Sequence, residues 1–126
     1  MHSSTFSNLR RQGCLSLAIL LILGLSGSRL MKAETAPRVI EITAKRFAFT
    51  PNVVTLRKGE KVILRLHSED VTHGFFLRAL KIDEIIEPGQ TKDIDVTPHT
   101  AGSFTTICDH FCGVNHGSMS MTIVVE

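Results

Sequence analysis

The chain has 126 residues, which allows one domain with a single hydrophobic core. Its formal net charge is +2, but the only charged residues before Glu34 are four basic ones. From Glu34 onward the chain carries 10 basic and 12 acidic side chains, so this part has a formal charge near −2. That balance excludes a nucleic-acid-binding protein and permits a basic protein partner.

The N-terminal segment has the pattern of an export signal. Arg10 and Arg11 precede an apolar run from Cys14 to Leu25, and small residues follow up to Ser28. A basic start, an apolar run of about 7–15 residues and a small-residue site are typical of a secretory signal peptide. We therefore expect export, with cleavage after Ser28.

An uncleaved membrane anchor is the alternative for this segment. A helix needs about 20 apolar residues to span a membrane, and the run reaches that length only if Arg29 is included. We assign residues 1–33 to a signal peptide or single membrane anchor and residues 34–126 to the folded domain. The domain is expected to be periplasmic or otherwise extracytoplasmic, either soluble after cleavage or tethered to the inner membrane.

After the N-terminal segment, short runs of β-branched and aromatic residues alternate with turn signals such as Pro51-Asn52 and Lys58-Gly59-Glu60. The run Val62–His67 alternates with a period of two, which indicates a half-buried strand. Residues 79–86 are expected to hold a short helical turn. Several short strands at regular spacing predict an all-β sandwich or barrel. The predicted strands are Val39–Thr43, Phe47–Thr50, Val53–Arg57, Lys61–His67, His73–Leu77, Thr91–Val96, Ser103–Cys108 and Ser120–Val125.

The most informative segment is Cys108–Met119, with the sequence CDHFCGVNHGSM. Three residues separate Cys108 from Cys112, three more precede His116, and two precede Met119. Thiolate and thioether sulfur select soft metals, and a Met beside Cys and His favours copper over zinc. Two thiols so close together can also contact the same pair of metal ions.

This loop needs a further nitrogen donor, and His73 is the candidate. It begins a predicted strand after a polar turn, which would bring its ring to the same end of the sandwich. Gly74 would let the backbone pass close by, and a carboxylate of Glu69 or Asp70 is a candidate partner that orients the ring. Two alternatives to copper stay open. An oxidising compartment favours a disulfide between the two cysteines, and a zinc site is conceivable, although Met is a poor zinc ligand.

The region from about Arg38 to Glu126 resembles a cupredoxin domain of the binuclear copper A (CuA) type, as in subunit II of cytochrome c oxidases and in nitrous oxide reductase. The Cys108–Met119 loop and the segment Asp70–His73 match the two ligand-bearing segments of that family. Within the loop, CGVNH is closer to the oxidase form and HFC to the reductase form. The resemblance implies a cupredoxin-like Greek-key β-sandwich or barrel.

The resemblance also implies a ligand set. The thiolates of Cys108 and Cys112 would bridge two copper ions. The imidazoles of His73 and His116 would each cap one copper. The thioether of Met119 and the backbone carbonyl of His110 would be weak axial ligands.

The sequence departs from the oxidase pattern in two ways. Oxidases of this family usually carry Glu at the position of His110, and that carboxylate reaches a magnesium ion, so only the carbonyl role carries over to His110. The chain also lacks Trp and Tyr, whereas larger oxidase subunits receive electrons through an aromatic run. The candidates for apolar surface near the metal are therefore Phe75, Phe76 and Phe111.

The expected function is electron transfer, because a ligand set filled by the protein leaves no position for a substrate. The domain would exchange electrons with a redox protein such as cytochrome c or a terminal oxidase, as a free or singly anchored carrier or as an oxidase CuA subunit. The isolated chain is not expected to be an enzyme. One alternative is a periplasmic copper-handling protein that stores or delivers copper for oxidase assembly. A structural disulfide domain without metal is another.

Overall fold

The computed structural model describes residues 34–126, and the predicted signal or anchor segment lies outside this range. In the described part, two single-turn 3-10 helices accompany the strands, at Arg78–Leu80 and His116–Ser118. The strands are β1 Arg38–Lys45, β2 Ala48–Thr50, β3 Val53–Leu56, β4 Val62–Ser68, β5 His73–Leu77, β6 Ile82–Ile86, β7 Thr91–Val96, β8 Gly102–Ile107 and β9 Ser120–Val125.

The strands form the two sheets of a sandwich. One sheet has the order β2-β1-β4-β7, and the other has the order β3-β9-β8-β5-β6. Strand pairs are parallel between β1 and β4 and between β3 and β9, and the other paired strands are antiparallel. The chain changes sheets at Pro51–Asn52, one of the predicted turns. The prediction of an all-β sandwich is confirmed.

The core lies between the inward faces of the two sheets, as the alternation of apolar residues predicts. In β4, the side chains of Val62, Leu64 and Leu66 are completely buried, and the residues between them are half-buried. Burial of one such side chain stabilises the fold by about 1.5–3 kcal/mol. A shift of one residue would turn this stripe toward solvent, so the alternation fixes the register of β4.

One strand was not predicted. The sequence led us to expect a short helical turn over residues 79–86, but the 3-10 turn at Arg78–Leu80 is followed by strand β6. β6 is an edge strand of the five-stranded sheet and carries Asp83 and Glu84. Acidic residues are generally depleted in strands, yet edge strands use charged residues to block further pairing. This composition concealed the strand.

The register of the five-stranded sheet brings the two candidate ligand segments together. β5 and β8 are antiparallel, with Phe76 opposite Ile107. Continuing that register by three residues places His73 beside the chain at residue 110, just beyond the end of β8. β8 and β9 form a hairpin in which Ile107 faces Ser120. The hairpin loop, residues 108–119, therefore lies next to the start of β5, and we call it the metal loop.

Candidate metal centre

His73, the first residue of β5, is completely buried. Its Nε2 lies 2.7 Å from Oδ1 of Asp70, and its Nδ1 lies 3.9 Å from Sγ of Cys108. The carboxylate can only accept a hydrogen bond, so Nε2 carries the ring proton and the lone pair of Nδ1 faces the metal loop. The prediction that a carboxylate before His73 orients its ring is confirmed for Asp70, whereas Glu69 pairs with Lys45 at 3.5 Å.

The carboxylate of Asp70 is held in its charged form. Burial by itself would raise its pKa, but three hydrogen bonds outweigh that effect and lower the pKa to about 2. Oδ2 accepts a bond of 2.9 Å from the backbone N–H of Arg46. Oδ1 accepts one of 2.7 Å from the N–H of Val71 in addition to the bond from His73. Asp70 is thus a fixed anion that connects β1, through Arg46, to the histidine.

Backbone hydrogen bonds join the two ends of the metal loop and connect residues within it. The N–H of Cys108 donates to the carbonyl of Met119 at 3.0 Å, so the first and last residues of the loop are joined. Inside the loop, the N–H of His116 donates to Gly113 and the N–H of Met119 donates to His116, each at 3.1 Å. These short-range bonds turn the side chains of Cys108, Cys112 and Met119 inward, and each is less than 5% exposed.

Sulfur atoms dominate the interior of the loop. The Sγ atoms of Cys108 and Cys112 are 3.6 Å apart and the thiols are free. Sδ of Met119 lies 3.9 Å from Sγ of Cys112, and the carbonyl oxygen of His110 lies 3.2 Å from Sγ of Cys108. The donor atoms of His73, Cys108 and Cys112 all lie within 4.8 Å of one another. The structure thus brings together five of the six predicted ligands.

His116, the sixth predicted ligand, begins the 3-10 turn at the end of the metal loop and is half-buried. It is not among the residues whose donor atoms all fall within 4.8 Å, but its Nδ1 is buried and has no hydrogen-bond partner in residues 34–126. A buried polar atom without a partner costs about 1–3 kcal/mol. Its ring makes an edge contact with Phe111, with ring centroids 5.3 Å apart. An unpaired, buried ring nitrogen on the metal loop is a donor suited to a metal ion.

The thiol of Cys112 resists ionisation without a metal. Burial first, then the neighbouring Cys108 and Asp70, raise its pKa to about 11, although the positive charge of Arg46 acts in the opposite direction. A metal ion that binds the thiolate must therefore displace its proton, and binding would be coupled to proton release.

Gly74 allows the metal loop to cross β5. A Cβ atom at this position would collide with the side chain of Asp109 and would lie 2.6 Å from the backbone N of His110. Real Cβ atoms do not approach backbone so closely, so any larger residue here would displace the start of the loop. The predicted close passage of backbone at Gly74 is confirmed.

The turn between β1 and β2, which the sequence did not single out, also contacts the metal loop. Nε of Arg46 donates a hydrogen bond of 2.8 Å to the carbonyl of Cys112. The ring of Phe47 packs on Gly113, where an added Cβ would lie 2.9 Å from two ring atoms. No spacing rule connects residues 46 and 112, because their contact depends on how the two sheets stack.

The aromatic candidates differ in exposure. Phe75 was expected at the surface near the metal, and that is wrong: it is completely buried and makes an edge contact with Phe49, with ring centroids 5.5 Å apart. Phe76 is half-buried. Phe111 is 70% exposed, and its neighbour in the loop Val114 is 93% exposed. The apolar surface beside the cluster is therefore made by the metal loop itself.

The donor set fits copper. Two thiols, a thioether and an imidazole nitrogen form a soft site, whereas structural zinc prefers Cys and His alone. The donors are buried, and the apolar residues around them exclude water, which also suits a redox metal whose potential depends on its surroundings.

The chain matches the family model of the cupredoxin-like domain over residues 14–125 and belongs to that family. It is 30% identical over 95 residues to cytochrome c oxidase subunit 2 of Thermus thermophilus, a match covering 74% of this chain and 70% of the relative. It is also 32% identical over 91 residues to nitrous-oxide reductase of Cupriavidus necator, covering 69% of this chain and 14% of that enzyme. The resemblance to CuA-type cupredoxins is thereby confirmed, and the family and the donor set both indicate copper.

Solved structures share the fold. The periplasmic domain of subunit II of cytochrome oxidase from Bradyrhizobium japonicum aligns with a TM-score of 0.67 at 19% identity, covering 74% of this chain and 86% of that one. Auracyanin A, a blue copper protein from Chloroflexus aurantiacus, aligns with a TM-score of 0.59 at 20% identity. The alignment covers 72% of this chain and 100% of the auracyanin chain. These likenesses establish the cupredoxin-like sandwich. Among residues 34–126, no helix is long and apolar enough to cross a membrane.

Proposed function

We propose that the chain is an electron-transfer protein with a binuclear CuA copper centre, similar to subunit II of cytochrome c oxidase. The observation that carries the proposal is the pair of free, buried thiols 3.6 Å apart inside one donor cluster. A mononuclear blue-copper site uses one thiolate. A second thiol at this distance is explained if both sulfurs contact the same two ions.

We assign a role to each predicted donor. Cys108 and Cys112 would hold both ions through their thiolates. Nδ1 of His73, which faces Sγ of Cys108, would bind one ion, and the unpartnered Nδ1 of His116 would bind the other. The thioether of Met119, beside Cys112, and the backbone carbonyl of His110, beside Cys108, would be the weaker donors.

When bound, a thiolate-bridged copper pair supplies a one-electron couple whose charge change is shared by two metals. The contacts around the site would hold the donor atoms in similar positions in both redox states. Strand pairing and Asp70 fix His73, and the bond between Cys108 and Met119 fixes the ends of the metal loop. Burial of the sulfurs keeps water out of the site. Little rearrangement on electron uptake is what a rapid electron carrier requires.

The surface of the metal loop offers a route for electrons to and from a partner. Phe111 contacts the ring of His116 and is mostly exposed, and Val114 lies on the same loop. Asp109 is the one charged residue in the loop. The proposed partner is a redox protein such as cytochrome c or a terminal oxidase, which would contact this apolar surface.

The proposal includes an extracytoplasmic location. Residues 1–33 would act as a signal peptide or single membrane anchor, and residues 34–126 would form the copper domain. The Bradyrhizobium relative of similar fold is a periplasmic domain, which supports this placement.

A copper-handling role is not favoured. Delivery of copper requires donors that a partner can reach, whereas the side chains of His73, Cys108, Cys112 and Met119 are at most 4% exposed.

The test is a copper titration of the reduced full-length protein, followed by a reductive titration of the loaded protein. We expect two coppers per chain and one electron for each pair of coppers. Cys14→Ser is the matched control, because it removes the cysteine outside the domain and should leave both ratios unchanged. One copper per chain, or two electrons for each pair of coppers, would contradict a shared-electron centre.

A further inference from the structure

We propose that Arg46 is a positioning residue that joins the two ligand-bearing segments and raises the reduction potential of the metal centre. The joining of the segments stands on geometry alone, and the effect on potential rests on the proposed function. Arg46 lies in the turn between β1 and β2, in the four-stranded sheet, which contributes none of the proposed ligands.

Arg46 bonds to both ligand-bearing segments at once. Its backbone N–H donates to Oδ2 of Asp70 at 2.9 Å, and the other oxygen of that carboxylate holds the ring of His73. Its side-chain Nε donates to the carbonyl of Cys112 at 2.8 Å. Arg46 thus connects two parts of the site by hydrogen bonds. One part is Asp70, which orients the proposed ligand His73, and the other is the backbone of the proposed ligand Cys112.

The turn between β1 and β2 also packs against the metal loop. The ring of Phe47 leaves no room for a Cβ at Gly113, and the position of that Cβ would lie 3.7 Å from Nε of Arg46. The Cys112–Gly113 peptide is therefore held by a charged hydrogen bond at its carbonyl and by an aromatic ring at its α-carbon. The tip of the metal loop beyond it, at Val114, is almost fully exposed. The turn therefore supports the metal loop at Gly113, where the hydrogen bonds between loop residues begin.

The charge of Arg46 also acts on the centre electrostatically. A guanidinium is always charged and matches its acceptor with a rigid, planar geometry. A positive charge bonded to the backbone of Cys112 stabilises the state of the centre that holds the extra electron. Removing that charge should therefore favour the oxidised state. Arg46 is exposed, so solvent screens its charge. We expect a change of about threefold to tenfold in the one-electron equilibrium constant, which is about 30–60 mV at 59 mV per tenfold change.

The test compares three variants of the full-length protein. Arg46→Met removes the charge and the Nε donor but keeps the backbone N–H that bonds to Asp70. Arg46→Lys keeps the charge without the planar donor. Arg78→Met is the matched control, since it removes an exposed arginine at the opposite end of β5 from His73. The two measurements are the reduction potential of the copper-loaded protein and the hydrogen exchange of metal-loop amides in the metal-free protein.

For Arg46→Met we expect a lower potential and faster exchange at the amide of His116, whose bond to Gly113 follows directly after the contacts of Arg46 and Phe47 with the loop. Arg46→Lys should show faster exchange with a smaller shift in potential, and Arg78→Met should match the wild type in both. A wild-type potential in folded Arg46→Met would overturn the proposal. If Arg46→Met does not fold, wild-type exchange and potential in Arg46→Lys would overturn it.

The two proposals fail separately. If the wild-type protein binds no copper pair, the proposed function fails, and exchange in the metal-free variants still decides whether Arg46 positions the loop. If the wild type shows the copper pair and Arg46→Met has the same potential, the proposed function stands and the role of Arg46 is lost.

Discussion

The two segments that bear the candidate ligands are held in place by different means. At the start of β5, His73, Gly74 and Phe75 are all buried, and the ring of the histidine is fixed by strand pairing and by Asp70. In the metal loop the donors are buried, but Phe111 and Val114 between them are largely exposed. Short bonds between loop residues replace the sheet there.

This difference shows how the protein combines a rigid donor with an accessible surface. The β5 segment depends on residues distant in sequence, so changes near it should alter the stability of the whole domain. Beyond the contacts that Arg46 and Phe47 make with Cys112 and Gly113, the metal loop depends on bonds between its own residues. Changes at its tip should therefore be tolerated, whereas changes to its sulfurs should alter the metal directly.

Cys108→Ser should have the largest effect on the metal and should convert the site to a mononuclear one. The remaining donors, a thiolate, two imidazoles and a thioether, form the ligand set of a blue-copper centre. We expect half the copper of the wild type and a changed visible spectrum, measured on the loaded protein. Two retained coppers would contradict a bridging role for Cys108, and a folded variant without any coloured copper would contradict the assigned ligand set.

Gly74→Ala should damage the site from the β5 side. Its Cβ would force the backbone at Asp109 and His110 away from β5, and such overpacking typically costs about 1–3 kcal/mol. Denaturant unfolding of the metal-free protein measures this loss. The matched control is Gly117→Ala in the metal loop, where a Cβ would meet nothing within 4 Å. Equal stability of the two variants would contradict the contrast between the segments.

Asp70→Asn should weaken the fixed orientation of His73 and change the response to acid. The folded state lowers the pKa of Asp70 from 3.8 to about 2, so its stabilisation is complete above pH 3.8 and is lost as the pH falls toward 2. The metal-free variant should be less stable at neutral pH by about 1–2 kcal/mol. It should also lose less stability between pH 4 and pH 2. Unfolding curves across this range check both, and a pH dependence identical to the wild type would show that Asp70 is not held as an anion.

Val114→Ser should have the smallest effect. The side chain is 93% exposed, and surface substitutions of this kind change stability by less than about 0.5 kcal/mol. Copper content and unfolding free energy should both match the wild type. A loss of copper in this variant would mean that the tip of the loop takes part in holding the donors.

The strands and the metal loop could be predicted from the sequence because their signals are local. The period of two in Val62–His67 and the spacing from Cys108 to Met119 are each contained in a few residues. His73 could be found because the loop needed another nitrogen donor and a strand began there. Strand β6 could not be found, because its acidic residues, which suit an edge strand, differ from the β-branched and aromatic residues that usually indicate a strand.

The support of the site was harder to predict. The contact from Arg46 to Cys112 depends on the stacking of two sheets, and no local pattern reports it. Phe75 was misplaced at the surface because sequence alone does not show which side of β5 faces the core. The ligands can thus be recognised in the sequence by their residue types and spacing. The residues that position them can be recognised only in the folded structure.

The most direct test of the central claim is electron paramagnetic resonance of the copper-loaded wild-type protein at low temperature. If Cys108 and Cys112 bridge two ions, the spectrum will show hyperfine structure from one unpaired electron shared equally by two copper nuclei. Hyperfine structure from a single copper nucleus would contradict the binuclear centre on which the account rests.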